Sequence, residues 1–211
     1  MTKTIFWNVD TQRDFMEPTG KLAVPGAMGI VPSLERLTAY AREHGITVVS
    51  TRDWHTFASK EFSQTPDLAR TFPPHCIMWT PGAEYLPATR STAPYEIDWR
   101  ADRFDEQEVH SRREIIIDKD AFDVFAGNPH TNGIVQALKP KRAVVYGVAT
   151  NYCVNYAVQG LLERGIEVYV VKDAIKEIPN CDIEGFMERE WTSKGVKYAT
   201  TDSIERLLEQ Q

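Results

Sequence analysis

Short apolar runs alternate along this chain with segments in which apolar residues recur every three or four positions. The runs predict strands buried on both faces of a parallel sheet, and the recurring spacing predicts helices with one apolar face. The predicted strands are Thr4 to Val9, Ile46 to Ser50, Glu114 to Asp118, Ala143 to Val148, Ile166 to Val171 and Val196 to Ala199. Because strands and helices alternate, we expect a three-layer αβα sandwich around a mostly parallel central sheet.

The predicted helices have recognisable start and stop signals. A helix from Pro32 to His44 carries proline in its first turn and is followed by Gly45, as helix termini favour. Polar capping residues begin others. The further predicted helices run from Thr131, as the cap, to Leu138, from the turn at Cys153 to Arg164, from Asp182 to Lys194, and from a cap at Thr201 or Asp202 near the end of the chain.

The segment from Thr51 to about Arg113 has little regular pattern and is rich in proline and aromatic residues. A loop of this length within a compact domain is usually functional. The chain has no internal repeat, low-complexity tract or interdomain linker. We therefore expect one domain over residues 1–211, with a long loop region at about 51–113 that carries metal and substrate contacts.

Side chains with useful chemistry stand at the ends of predicted strands. Asp10, Lys119 and Cys153 each follow such a strand, and the carboxyl ends of parallel strands meet at one edge of the sheet. Cys153 falls in the first turn of a helix, where unpaired N–H groups and the helix dipole favour a thiolate. Each residue also has a purely structural explanation, as a turn aspartate, a solvated lysine and a small buried hydrophobic residue.

A second group of polar residues lies in the long loop region. Asp53 and His55 are two positions apart directly after the second strand, so in extended backbone they point to the same side. Glu61 and His75 follow, and carboxylate and imidazole groups suit Zn²⁺, Fe²⁺ or Mn²⁺. Cys76 would face away if His75 faces the site. The alternative is a set of solvated loop residues.

Composition narrows the classes of partner. The net charge is -6 with no basic cluster, which argues against nucleic acid. The chain has no apolar run of about 18 residues and no signal-peptide pattern, so we expect no membrane partner. The cysteines, Cys76, Cys153 and Cys181, are odd in number and far apart, as in a reducing cytoplasm. A glycine-rich phosphate loop is missing, which argues against nucleotide-driven chemistry.

A thiol, a carboxylate and a lysine at one sheet edge make a set suited to nucleophilic catalysis. Asp10 would accept the proton of Cys153 and later return it to a leaving amine, while Lys119 would hold both partners in place. Backbone N–H groups of the turn, those of Ala149 and Cys153, could bind an oxyanion. The predicted reaction is amide hydrolysis through a thioester on Cys153.

Six sequence motifs together resemble one known family. They are Asp10-Thr-Gln-Arg-Asp-Phe15, Asp53-Trp-His55, Glu61-Phe-Ser-Gln-Thr-Pro-Asp67, Phe72-Pro-Pro-His-Cys-Ile-Met-Trp-Thr-Pro-Gly-Ala-Glu84, Lys119 and Gly147-Val-Ala-Thr-Asn-Tyr-Cys-Val154. In order and spacing they resemble the isochorismatase-like cysteine hydrolases, and within them the nicotinamidases (pyrazinamidases). The resemblance covers essentially the whole chain. It implies the isochorismatase-like fold, a small-molecule amide substrate, a role in NAD salvage and a homo-oligomer.

The resemblance also assigns roles to single residues. It implies that Cys153 is the nucleophile, Asp10 the general base and Lys119 the third member of the set. It implies that the metal ligands are Asp53, His55 and His75, with Zn²⁺ as the first expectation and Fe²⁺ or Mn²⁺ as alternatives. Glu61 stands where some members carry a further ligand. Phe15 and Phe72 correspond to the aromatic pair that flanks the substrate ring, and the Val148–Ala149 peptide is expected to be cis.

The chain departs from the family pattern at a few positions. Asn151 stands where Asp is frequent, and the stretch 95–113 has no clear counterpart. Trp79 replaces a frequent Gly, and its bulk is expected to narrow the pocket.

Alternative functions are distinguished by particular residues. Another cysteine amidase, such as one for N-carbamoyl compounds, would lack the metal set at Asp53, His55 and His75. An isochorismatase proper would lack Cys153. A non-catalytic binding protein would not need an intact acid, lysine and thiol. A redox sensor would use Cys76 or Cys153 and would release no ammonia.

Overall fold

The computed structural model describes residues 3–179 and 182–210 of the chain. Its strands are β1 (Thr4–Val9), β2 (Thr47–Asp53), β3 (Tyr95–Ile97), β4 (Glu114–Lys119), β5 (Arg142–Val148), β6 (Glu167–Lys176) and β7 (Lys197–Ala199). Within the described ranges they form one sheet in the order β3-β4-β2-β1-β5-β6-β7. Every neighbouring pair is parallel, which confirms the predicted α/β class.

Helices cover both faces of this sheet. They are α1 (Arg13–Met16), α2 (Val31–Glu43), α3 (Glu106–Ser111), α4 (Val124–Gly127), α5 (Thr131–Leu138), α6 (Asn155–Glu163), α7 (Ile183–Glu190) and α8 (Thr201–Glu209). Short 3₁₀ turns lie at Ala27–Ile30, Pro81–Ala83 and Thr192–Lys194. None of the helices in the described part of the chain is long and apolar enough to cross a membrane.

Alternate residues of the central strand β1 supply two separate cores. Trp7 packs in one core with Leu138 of α5 and Leu161 of α6, whereas Phe6 packs in the other with Leu37 of α2. Successive strand residues point to opposite faces of the sheet. Burying each of these large side chains contributes about 1.5–3 kcal/mol. The continuous apolar runs therefore produce the three-layer sandwich that they predict.

The structure corrects the predicted loop region. β2 continues to Asp53 beyond the predicted end at Ser50. The short strand β3 and the helix α3 both lie within the segment predicted to be irregular. β3 pairs with residues 115–117 of β4 at the sheet edge. A strand this short is below the length at which alternation identifies a strand, and α3 begins at a capping aspartate, Asp105, whose side chain accepts the Gln107 N–H.

Other boundaries also differ from the prediction. Asp173 lies two residues beyond the predicted strand end at Val171 but falls within β6, whose register with β5 shifts between Val145 and Gly147. The N-cap of α5 is His130, and that of α8 is Thr200, whose side chain accepts the Ser203 N–H. The neighbouring residues Thr131 and Thr201 are the first helical residues of these helices. Adjacent polar residues make such caps hard to assign from sequence.

Candidate active site

Four polar residues meet at the carboxyl edge of the central strands. Asp10 follows β1, Asp53 ends β2, Lys119 ends β4 and Cys153 lies beyond β5. All four side chains are buried, with at most 7% of any residue exposed. Asp53 and Lys119 occupy paired positions on neighbouring strands. The structure brings Asp10, Lys119 and Cys153 together at this edge, and Asp53 joins them.

Lys119 is the centre of this group. Its Nζ lies 2.9 Å from Asp10 Oδ2 and 3.6 Å from Cys153 Sγ, and it forms an ion pair with Asp53 Oδ1. Burial opposes the lysine charge, but Asp10 and Asp53 outweigh it and raise the pKa of Lys119. The lysine is therefore protonated and paired at neutral pH, which rules out a solvated surface lysine.

The turn that carries Cys153 is sharply bent. The Val148–Ala149 peptide is cis, as the family resemblance implied. Tyr152 has non-helical backbone angles (φ -128°, ψ -108°), so the helical backbone that continues into α6 begins at Cys153. The N–H groups of Tyr152 and Val154 both donate to the Ala149 carbonyl, at 3.0 and 3.2 Å. The bend aims the Cys153 side chain at Lys119 and Asp10.

The buried environment of Cys153 opposes the thiolate form that its position in the helix favours. Burial raises the pKa of the Cys153 thiol, and the charge of Lys119 offsets only part of that rise. Burial also raises the pKa of Asp10, again against the effect of Lys119. A carboxylate oxygen of Asp10 lies within 4.8 Å of Cys153 Sγ. The thiol thus needs a nearby proton acceptor, and Asp10 is a stronger acceptor than an exposed aspartate.

Asp53, His55 and His75 form a compact cluster next to this group. Their ligand atoms all lie within 4.8 Å of one another. Both imidazole Nε2 atoms face the same carboxylate oxygen, Asp53 Oδ2, at 3.4 Å for His55 and 3.5 Å for His75. The donor set of two imidazoles and one carboxylate is one that divalent zinc, iron and manganese accept.

The far nitrogens of both rings are already engaged. His55 Nδ1 lies 2.6 Å from Asp120 Oδ1, and His75 Nδ1 lies 2.8 Å from the carbonyl oxygen of Pro73. An Nδ1–H donated to an acceptor leaves Nε2 with a free lone pair, as in metal-ligating histidines. His55 Nε2 is buried and has no hydrogen-bond partner among the described residues. The cluster therefore fits a divalent metal ion.

Glu61 stands outside the compact cluster. Its Oε1 accepts the Phe122 N–H at 2.7 Å, while its Oε2 is buried without a hydrogen bond in the described structure. Burial raises the pKa of Glu61 to about 7, helped by the charge of Asp53. Both the protonated and the ionised form of this carboxyl are therefore populated near neutral pH. Its predicted place among the ligands remains a prediction.

A narrow cavity opens beside these two groups, with about 20 Å³ of space open to the centre of a water molecule. Cys153, Asp53 and His75 supply its polar atoms. Its remaining lining is almost wholly apolar and consists of Phe15, Leu22, Val24, Phe72, Phe122, Val148, Ala149, Tyr152 and Ile178. Such a cavity, apolar with a few convergent polar groups, is typical of a small-molecule site.

Comparison with known sequences decides the family. The sequence pattern of the isochorismatase domain matches residues 4–189. The chain belongs to the isochorismatase family. A nicotinamidase/pyrazinamidase of Mycobacterium tuberculosis is 30% identical to it over 165 residues, which are 78% of this chain and 82% of that protein.

Solved structures of the family agree with this fold. The pyrazinamidase of Pyrococcus horikoshii, determined in complex with zinc, is 31% identical and superposes with a TM-score of 0.73, covering 94% of this chain and 99% of that one. The N-carbamoylsarcosine amidase of Thermoplasma acidophilum is 21% identical, with a TM-score of 0.72 and coverage of 95% and 98%. The predicted isochorismatase-like fold is confirmed.

The two aromatic residues singled out from sequence, Phe15 and Phe72, line the cavity of this isochorismatase-family chain. Trp79 does not: it is 82% exposed and packs edge-on against Trp54. The expectation that it narrows the pocket is wrong, because its side chain points into solvent and is not part of the cavity lining. Cys76 is buried in the same core as Phe6 and is not part of the cavity lining.

Sequence reasoning missed several residues that shape the site. Phe122 and Tyr152 pack their rings against Phe72 at 5.3 and 5.8 Å. Gln12 is fully buried and uses both ends of its amide: Nε2 donates to the Asp53 carbonyl, and Oε1 accepts the Asp53 N–H, both at 2.8 Å. For Phe122 and Tyr152 the sequence offers only their apolar character as a signal. For Gln12 it offers only the place of this residue in the Asp10-Thr-Gln motif.

Proposed function

We propose that this chain is a metal-dependent cysteine amidase of the nicotinamidase type, which hydrolyses nicotinamide to nicotinate and ammonia. The observation that carries the proposal is the meeting of two groups at one apolar cavity. The acid, lysine and thiol of Asp10, Lys119 and Cys153 lie on one side of Asp53, and the two histidine rings lie on its other side.

The reaction class has the firmer support. The family and its nicotinamidase relatives make the chain an amidohydrolase that acts on a carboxamide. Pyrazinamide, whose ring has a similar size and carries the same amide, is a second expected substrate. A role in NAD salvage, a cytoplasmic location and a homo-oligomeric state remain predictions.

The proposed first half-reaction forms the thioester. Asp10 accepts the Cys153 proton, and the sulfur attacks the amide carbon of the substrate. The oxyanion of the tetrahedral intermediate accepts hydrogen bonds from the N–H groups of Ala149 and Cys153. When the intermediate collapses, the C–N bond breaks, and the proton held by Asp10 goes to the departing nitrogen, which leaves as ammonia. Lys119 keeps its positive charge and holds both partners in place.

The second half-reaction hydrolyses the thioester. Asp10 accepts a proton from water while the water oxygen attacks the acyl carbon. The C–S bond then breaks, the carboxylic acid leaves, and the proton on Asp10 returns to the Cys153 sulfur. The same carboxylate therefore serves as base and acid in each half. Its buried position and raised pKa suit such a double role.

Asp53, His55 and His75 would hold a divalent ion at the edge of the cavity, and that ion when bound supplies a Lewis acid close to the substrate. Zn²⁺ is the first choice because two imidazoles and a carboxylate suit it. The zinc complex of the Pyrococcus horikoshii relative supports this choice. Phe15 and Phe72 would flank the pyridine ring within the cavity.

Ammonia release from nicotinamide by the purified protein tests the proposal. We expect release that a chelator abolishes and that added metal restores, and we expect none from Cys153→Ala, which should keep its fold and its metal. Turnover by that variant would refute the nucleophile. A folded, metal-loaded protein that is inactive on nicotinamide would refute the substrate, and a panel of ureido acids and other small amides would then test the N-carbamoyl alternative.

A further inference from the structure

The side-chain amide of Asn151 makes two reciprocal hydrogen bonds with the backbone of one distant residue. Its Nδ2 donates to the carbonyl oxygen of Ile178, and its Oδ1 accepts the Ile178 N–H, both at 3.0 Å. Asn151 lies in the turn between Ala149 and Cys153. Ile178 lies two residues beyond the end of β6 and lines the cavity. One side chain thus joins the Cys153 turn to a cavity wall.

We propose that Asn151 is a positioning residue that sets the width of the substrate cavity by holding Ile178 in place, and that it thereby favours small, unsubstituted aromatic amides. The proposal rests on the proposed function, because it names a specificity determinant of the same site.

The sheet itself does not hold this wall. The pairing of β6 with β5 ends at Val148 and Lys176, so Ile178 is beyond the ladder. The Asn151 amide supplies the donor and the acceptor that a neighbouring strand would otherwise provide. Ile178 packs against the apolar cluster that includes Phe15 and Ala149. A displacement of Ile178 would therefore widen the cavity on the side that faces the substrate ring.

The chemistry of the amide is essential to this arrangement. An asparagine side chain donates and accepts at the same time, whereas an ionised aspartate can only accept. In Asn151→Asp the bond from the Ile178 N–H would survive, but a carboxylate oxygen would face the Ile178 carbonyl oxygen. Two acceptors at hydrogen-bond distance repel each other, so the wall segment would move away from the turn.

The first experiment compares Asn151→Asp with Asn155→Asp on nicotinamide and on 5-methylnicotinamide. Asn155 is a matched control because its Oδ1 accepts from Trp191 Nε1 and Gln159 Nε2, which a carboxylate also does. We expect Asn151→Asp to raise KM for nicotinamide about tenfold, the effect of losing one well-formed hydrogen bond, with little change in kcat. The KM for 5-methylnicotinamide should rise less than the KM for nicotinamide. The control Asn155→Asp should have the KM and kcat of the native enzyme on both substrates.

A second variant tests the wall directly. Ile178→Ala leaves Asn151 in place and shortens the side chain that lines the cavity. Ile178→Ala should shift selectivity toward 5-methylnicotinamide. Its effect on KM should not add to that of Asn151→Asp in the double variant, because both substitutions act through Ile178. Additive effects would overturn the proposal. So would a loss confined to kcat, since that would place the role of Asn151 in the Cys153 turn.

Hydrogen exchange supplies a readout that needs no turnover. We expect the Ile178 amide to exchange faster in Asn151→Asp than in the native chain or in Asn155→Asp. Unchanged exchange would overturn the proposal. If the native protein fails to hydrolyse nicotinamide while the exchange difference is present, the proposed substrate is wrong but the role of Asn151 in holding the wall stands.

Discussion

Asp53 and Lys119 stand opposite each other on β2 and β4, and their side chains form a buried ion pair. The second carboxylate oxygen of Asp53 faces the Nε2 atoms of His55 and His75. One carboxylate therefore belongs both to the group around the thiol and to the metal cluster. A change in either group will alter the charge that the other one experiences, so substitutions on both sides are best interpreted together.

Asp120 should strengthen metal binding through His55. Its carboxylate lies 2.6 Å from His55 Nδ1 and fixes the orientation of that ring. Partners of this kind typically change metal affinity by about 10–100-fold when they are removed. We expect Asp120→Asn to weaken zinc binding by about that factor, measured by competition with a chromophoric chelator. Asp123→Asn is the control, because Asp123 caps α4 by accepting the Phe125 N–H. Equal affinities in both variants would contradict this role.

The charges of Asp10 and Lys119 should be energetically coupled. Replacing Lys119 by Met leaves two buried carboxylates without their cation, and breaking a buried pair from one side costs about 3–5 kcal/mol. Adding Asp10→Asn removes one of these carboxylates, so the double variant should regain part of the lost free energy of unfolding. Neither variant should release ammonia. Urea unfolding of the single and double variants measures this coupling. If Lys119→Met were as stable as the native chain, the pair of Asp10 and Lys119 would contribute nothing to the free energy of unfolding.

The sequence predicts the frame of this molecule because its strong signals are local. Five of the six predicted strands overlap observed strands of at least six residues, and the sixth overlaps the short strand β7. Two features of the sheet do not follow from the sequence pattern. The strand β3 is too short to be identified, and the place of Asp173 within β6 depends on the register of that strand with β5. Both features depend on pairing with neighbouring strands, and the hydrophobic periodicity of a single segment carries no information about that pairing.

The sequence predicts those residues of the candidate site that lie at the ends of strands. Asp10, Lys119 and Cys153 converge because parallel strands share an edge. The raised pKa of the Cys153 thiol was not predictable, because it depends on how deeply the fold buries the sulfur. Phe122 and Asp120 escaped notice for a similar reason. Their roles arise from contacts with Phe72 and His55, which lie far away along the chain.

Gly147 should be irreplaceable at the end of β5. Its φ is 119°, and a Cβ built there would lie 2.1 Å from the carbonyl oxygen of Val9 on β1. We expect Gly147→Ala to destabilise the fold by roughly 2–4 kcal/mol, from backbone strain and overpacking together. Gly165→Ala is the matched control, since Gly165 has φ 70° and open space around it. It should cost only about 1 kcal/mol. Similar losses in thermal unfolding would show that the contact with Val9 is unimportant.

Glu114 should make the stability of the fold depend on pH. Its Oε1 accepts from Arg42 at 2.9 Å, and its Oε2 accepts the Thr92 and Ala93 N–H groups at 2.9 and 3.2 Å. Burial opposes the charge, but these hydrogen bonds outweigh it and lower the pKa of Glu114 from 4.5. A lowered folded-state pKa adds stability that is fully present above the unfolded pKa and is lost as the pH falls through the folded one.

The variant Glu114→Gln should therefore be less stable than the native chain near neutral pH, by about 1–2 kcal/mol for the lost charge-assisted hydrogen bonds. The difference should shrink below about pH 4, where the native carboxylate becomes protonated. Urea unfolding across this range measures it. Glu108→Gln is the control, because Glu108 is partly exposed and pairs only with Arg112 among the described residues. If the difference in the free energy of unfolding between Glu114→Gln and the native chain does not change with pH, the charge of Glu114 is not what stabilises its contacts with Thr92 and Ala93.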